Sequence, residues 1–126
     1  MKFPKELHYT SDHEWVLISE GFAIIGITDF AQRELGDIVF VDVDTEGENL
    51  DQEEVFGSVE AVKTVSDLFM PIAGKIAEVN TKLEDNPELI NTDPYGEGWI
   101  IKVLLPSGEC DLNQLLDYQQ YEKLVK

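Results

Sequence analysis

Short apolar runs separated by turn residues, rather than long amphipathic stretches, organise the first three-quarters of the chain. Residues 15–18, 23–27 and 38–43 are β-branched or aromatic segments bounded by Gly, Asp and Ser. In the third, Val39, Val41 and Val43 share one face while Asp42 and Asp44 share the other, which predicts a half-buried strand. Further strands are predicted over 55–62, 68–70, 75–79 and 99–105. So many short strands in so few residues predict a mainly β sandwich or small barrel.

Helices are few and peripheral. Thr28-Asp29 caps a short helical turn through Phe30, Ala31 and Leu35, with Gln32 placed to complete a capping box and Gly36 to end it. From Asp111 onward, Leu112, Leu115, Leu116, Tyr118, Tyr121, Leu124 and Val125 keep a helical period, and Asp117 is placed to cap a second short helix. Asn86-Pro87 and residues 93–96 are turn signals. There is no linker or repeat, so residues 1–126 read as one domain.

Composition narrows the function. With 26 Asp+Glu against 9 Lys+Arg the formal charge is −17, a field that repels phosphate backbones and anionic lipids. Neither nucleic acid nor a membrane is an expected partner, and no apolar run approaches the ~20 residues of a membrane span. The N-terminal residues lack the pattern of a secretory or transit segment, so a cytoplasmic protein is expected. Cys110 is the only cysteine, which excludes an internal disulfide and any CxxC site, so redox chemistry must come on a cofactor. His8 and His13 have no cysteine beside them and make a poor zinc site. Ser11, Asp12 and His13 are sequence neighbours and cannot adopt triad geometry. Residues 42–53 imitate a calcium loop, but Glu46 departs from the motif and the stretch follows a strand, so it reads as a solvated acidic loop.

Lys63 stands between two strand-like segments. With Lys63-Thr64 at the tip of a hairpin, Ala61 pairs with Ser66 and Glu60 with Asp67, and the ammonium is held out in solvent. Like charges opposite one another cost roughly 0.2–1 kcal/mol, so a Glu60–Asp67 pair would not be there for stability. Taken alone, a lysine in a turn is more often a plain solubilising residue.

The stretch from Gly57 to Lys75 resembles the attachment hairpin of the glycine cleavage H-protein family. Tyr9 with His13-Glu14-Trp15, the block from Gly26-Ile27-Thr28 through Ala31-Gln32 to Leu35-Gly36-Asp37, and Val39-Phe40-Val41 are similar to further family motifs. So are Val79-Asn80, residues 87–91, Pro94-Tyr95-Gly96 and Gly98-Trp99, and the likeness spans essentially the whole chain. The resemblance implies a barrel-sandwich hybrid of the lipoyl-domain kind, with a few short peripheral helices and a C-terminal helical segment. It implies a non-enzymatic carrier with lipoate amide-linked to Lys63, and Glu60 as a residue read by the lipoylating enzyme, a lipoate ligase or an octanoyl/lipoyl transferase. Attachment removes one more positive charge from a chain already at −17.

In that family a pyridoxal-phosphate-dependent glycine decarboxylase loads an aminomethyl group on the lipoyl disulfide. A tetrahydrofolate-dependent aminomethyltransferase takes the carbon and releases ammonia, and dihydrolipoamide dehydrogenase reoxidises the dithiol. A flexible arm suits this work because it keeps the sulfurs at high effective concentration at each docked site. The resemblance also implies a cleft where carboxylates hold the protonated amine, with Glu14 and Asp67 at the matching positions. Asp12 and Glu34 replace a frequent Ser and an occasional His of relatives, and make the cleft more acidic. A monomer is expected. Competing readings are a biotin carrier, disfavoured because Val62 and Thr64 rather than methionines flank Lys63, and a lipoate relay or divergent paralogue that donates lipoate to other complexes.

Overall fold

The computed structural model describes residues 2–106 and 112–125, so Cys110 and the predicted helix start at Asp111 lie outside the described residues. Two antiparallel sheets face each other. The larger has the order β1 (His8–Tyr9), β2 (Glu14–Ser19), β3 (Phe22–Ile27), β9 (Ile101–Leu104), β8 (Gly74–Val79) and β5 (Asn49–Leu50). The smaller has the order β4 (Ile38–Asp42), β6 (Val55–Ala61) and β7 (Val65–Phe69). This is the expected mainly β barrel-sandwich, and β1 and β5 are short strands that the apolar runs did not announce.

Period-two alternation along β2 and β3 gives the large sheet two apolar faces. Val16, Ile18, Ala23 and Ile25 turn inward to a core completed by Ile76, Ile101, Val103, Phe56, Val59 and Leu68. Trp15, Leu17 and Ile24 turn outward to a second cluster with Leu7, Tyr9 and Tyr121. Tyr121 comes from α4 (Tyr118–Val125), so the C-terminal helix roofs the outer face of the sheet. Glu20 and Gly21, both at positive φ (51° and 85°), close the β2–β3 hairpin in the geometry that matches strand twist.

Two local predictions need correction. In β4 a bulge falls between Ile38 and Phe40, which leaves Val39 and Phe40 about half exposed while Val41 and Val43 pack on the core. The inserted residue breaks the alternation that predicted a uniform valine face. In α1 (Asp29–Leu35) the cap is Thr28, whose Oγ1 accepts the Ala31 amide at 3.1 Å. Gln32 is therefore one position too late for a capping box, and its amide donates to Asp29 Oδ1 instead. The turn signals at Asn86-Pro87 and at residues 93–96 hold, and each follows a single-turn helix that no periodicity announced, α2 (Lys82–Asp85) and α3 (Leu89–Thr92). At the C-terminus Asp117 does cap: its Oδ1 accepts the Gln120 amide while Gln120 Oε1 accepts its own. Among the described residues no helix is long and apolar enough to cross a membrane.

Candidate functional site

The hairpin between β6 and β7 closes one residue earlier than predicted. Glu60 faces Val65, and the Ala61 amide donates to the Thr64 carbonyl at 2.7 Å, so Val62 and Lys63 form the centre of the turn. Neither adopts a positive φ. The expected Ala61–Ser66 and Glu60–Asp67 pairs do not form; Asp67 faces Ser58 instead. Changing every cross-strand partner by two leaves each side chain on its original face, so the hydrophobic pattern cannot tell the two registers apart. A contact from outside the hairpin supports the observed one, since the Val62 amide donates to the Asp37 carbonyl at 3.1 Å. The like-charge repulsion expected of a Glu60–Asp67 pair is also absent. Glu60 is flanked by exposed Phe40 and Val65 on one row of the small sheet.

Lys63 is exposed, and its stem crosses the end of α1. Gly36 terminates that helix at φ 82°, its amide donating to the Gln32 carbonyl at 2.9 Å. A Cβ at position 36 would stand 3.4 Å from Lys63 Cε and 3.7 Å from Nζ, so the bare glycine leaves a shallow track beneath the lysine. The residues just before it, Glu34 and Leu35, belong to the wall of a cleft of about 400 Å³ between α1 and β7. Ile27, Phe30, Ala31, Leu35, Val59 and Leu68 give this cleft an apolar floor. Asp12, Glu34 and Asp67 line it with carboxylates, joined by His13 and Ser66. Of the four sequence-predicted cleft carboxylates, the structure therefore brings three to the lining.

Glu14 is the one that lies elsewhere. It is only 2 % exposed, and its Oε2 accepts the Phe69 amide at 2.8 Å, clipping β2 to the last residue of β7. Burial pushes its carboxyl up to about 8; the Phe69 bond opposes this and the negative charge of Asp12 adds to it. Glu14 thus acts on the cleft from behind, by fixing the strand that carries Asp67 and Leu68.

Two residues with structural leverage over the site were not legible as such. Asn91 donates to the Gly36 carbonyl (2.8 Å) and to Gln32 Oε1 (3.0 Å), and its Oδ1 accepts the Ile38 amide (2.9 Å), so it ties the end of α1 to the start of β4. Tyr121, read in the sequence as one apolar position of a helix, places its hydroxyl 2.9 Å from His13 Nδ1 and 2.7 Å from Thr28 Oγ1. His13 itself has φ 67°, in the left-handed region, and its ring lies against Phe30 with centroids 4.8 Å apart. His13, which the sequence offered as a poor zinc ligand, an impossible triad member and part of a family motif, lines the cleft. Among the described residues, no group of three or more His, Cys, Asp or Glu is arranged to hold a metal ion.

Comparison with known proteins bears on the chain and the fold as a whole. The family model described as glycine cleavage H-protein matches residues 7–126. A glycine cleavage system H protein of Bacteroides fragilis is 55% identical over 125 residues, covering 99% of this chain and 98% of that protein. One from Brevibacillus brevis is 53% identical over 126 residues, with 100% and 99% covered. The crystal structure of a glycine cleavage system H protein from Mycobacterium marinum superposes with a TM-score of 0.84 at 41% identity, covering 95% of this chain and 96% of that one.

Proposed function

The chain belongs to the glycine cleavage H-protein family, and from that membership we propose that it is the lipoyl carrier of a glycine cleavage system, with lipoate joined by an amide to Lys63. It is a carrier, not a catalyst. The observation that carries the assignment is an exposed amine at a turn whose stem lies over Gly36, directly after the Glu34 and Leu35 wall of a cleft with an apolar floor and three carboxylates.

These residues fit the group. When bound, the dithiolane supplies a reducible disulfide, through which an aminomethyl group passes from the pyridoxal-phosphate-dependent decarboxylase to the tetrahydrofolate-dependent aminomethyltransferase, dihydrolipoamide dehydrogenase then restoring the disulfide. The protein's own tasks are display, recognition and shelter. The Val62-Lys63 turn presents the amine to a modifying enzyme. Glu60, exposed three residues before Lys63, is available for the lipoate ligase or transferase to read. The apolar floor accommodates an aliphatic chain and keeps water from it, while Asp12, Glu34 and Asp67 attract a protonated amine.

Intact mass of protein from cells given lipoate and a ligase tests the attachment. A lipoyl increment is expected on the native chain and none on Lys63→Arg, which keeps the charge; a biotin increment, or a lipoyl increment that survives the substitution, would refute it. The lipoylated chain should then support glycine-dependent CO2 release by purified decarboxylase.

A further inference from the structure

The C-terminal helix reaches the cleft through one hydroxyl. Tyr121 is fully buried in α4, its ring stacked on Tyr9 (centroids 4.7 Å, interplanar angle 6°) and edge-on to Phe3. Its oxygen lies between Thr28 Oγ1, the cap of α1, and His13 Nδ1. The protons can be counted. Among the described residues the Thr28 hydroxyl has two partners: the Ala31 amide, from which it accepts, and the Tyr121 hydroxyl. Both hydroxyl protons find an acceptor when Thr28 donates to Tyr121 and Tyr121 donates to His13 Nδ1. In that arrangement His13 is neutral, with its proton on Nε2. Its backbone is held as firmly, since its amide donates to the Thr10 carbonyl at 3.1 Å and its carbonyl accepts the Thr28 amide at 3.0 Å.

Granting the reading that the cleft shelters an aminomethyl-loaded arm, we propose that Thr28 and Tyr121 are positioning residues that keep His13 an uncharged ring, so that the cleft carboxylates remain available to a primary ammonium. The groups facing His13 make this necessary. Asp12 approaches from the turn before β2 and Glu34 from α1, and both pull the ring toward the imidazolium. Asp67 faces it across the cleft on β7. A protonated His13 would pair with these carboxylates and exclude a cationic cargo from its seat. Burial opposes protonation and holds the ring below its ordinary range, and the Tyr121 proton occupies the nitrogen that would otherwise take one. Phe30 packs on the ring, with centroids 4.8 Å apart.

Tyr121→Phe removes the hydroxyl and retains the stacked ring. Nitrogen NMR of the two histidines, read on the unmodified chain, is expected to show His13 as the Nε2–H tautomer at neutral pH, with a titration midpoint that rises by about one unit in the variant. In lipoylated protein loaded with the aminomethyl group and freed of the other enzymes, the variant should lose its cargo about threefold or more faster near pH 6, and match the native chain near pH 8, where both rings are neutral. His13→Asn assigns the resonance, tolerates a positive φ, and should flatten the pH profile of cargo loss. An Nδ1–H tautomer, an unmoved midpoint, or faster loss of equal size at every pH would overturn the proposal. The NMR result stands whether or not Lys63 is lipoylated, so its failure is distinct from failure of the carrier reading.

Discussion

A carboxylate buried between two sheets is costly, and at Glu14 the cost is visible as a pH dependence. Its carboxyl titrates at about 8 in the fold against an ordinary value of 4.5. Between those limits the folded chain keeps a proton that the unfolded chain has released, so its contribution to stability is complete below the ordinary value, declines as the pH rises, and levels off above about 8. Glu14→Gln keeps an oxygen for the Phe69 amide and removes the titration. Thermal melts should show a flatter stability profile for this variant across the window, and at the alkaline end a gain on the order of a few kcal/mol over the native chain. Parallel profiles for the two proteins would refute the assignment. The sequence marked Glu14 through its family motif and suggested a cleft residue. Its burial comes from the approach of Phe69, 55 positions away, which no local pattern records.

At the scale of the element, α1 is the part of the site on which everything else leans. Thr28 starts it, Gly36 stops it, and Asn91 bolts its end to β4. Asn91→Ala removes three hydrogen bonds, two to groups with a main-chain role, and should lower stability by about 1–3 kcal/mol in denaturant melts. Asn91→Asp keeps the acceptor for Ile38 but sets a carboxylate against the Gly36 carbonyl and Gln32 Oε1, so it should lose at least as much as Asn91→Ala; a smaller loss would mean that the bond to Ile38 carries most of the effect. The Thr28 start and Gly36 stop were legible because capping chemistry is local. The hairpin register was not, since two registers differing by two residues bury the same side chains and the bond that the Val62 amide donates to the Asp37 carbonyl favours one of them. Nor was the bulge in β4, where only the pairing with Ala61 and Glu60 reveals that Val39 is supernumerary. His13 and Tyr121 lie 108 positions apart, and their union depends on how α4 docks.

At the scale of the whole molecule, the charge of −17 has little internal compensation. The two ion pairs among the described residues, Arg33–Asp29 and Lys82–Glu97, each involve an exposed cation and contribute little. Self-repulsion then weighs against the compact state, and the melting temperature should climb as salt rises from about 10 mM toward physiological strength, where the screening length shrinks to about 8 Å. A melting temperature indifferent to salt would show the carboxylates to be too dispersed to matter. The fold class itself was readable because alternation in β2 and β3 demands two apolar partners, one supplied by the opposite sheet and the other by the C-terminal helix. Gly36 and Asp37 hold the root of the lysine and follow directly on Glu34 and Leu35, which wall the neighbouring hollow. On the proposed attachment, a tether moored to the same strut as its harbour would leave and return without the barrel deforming.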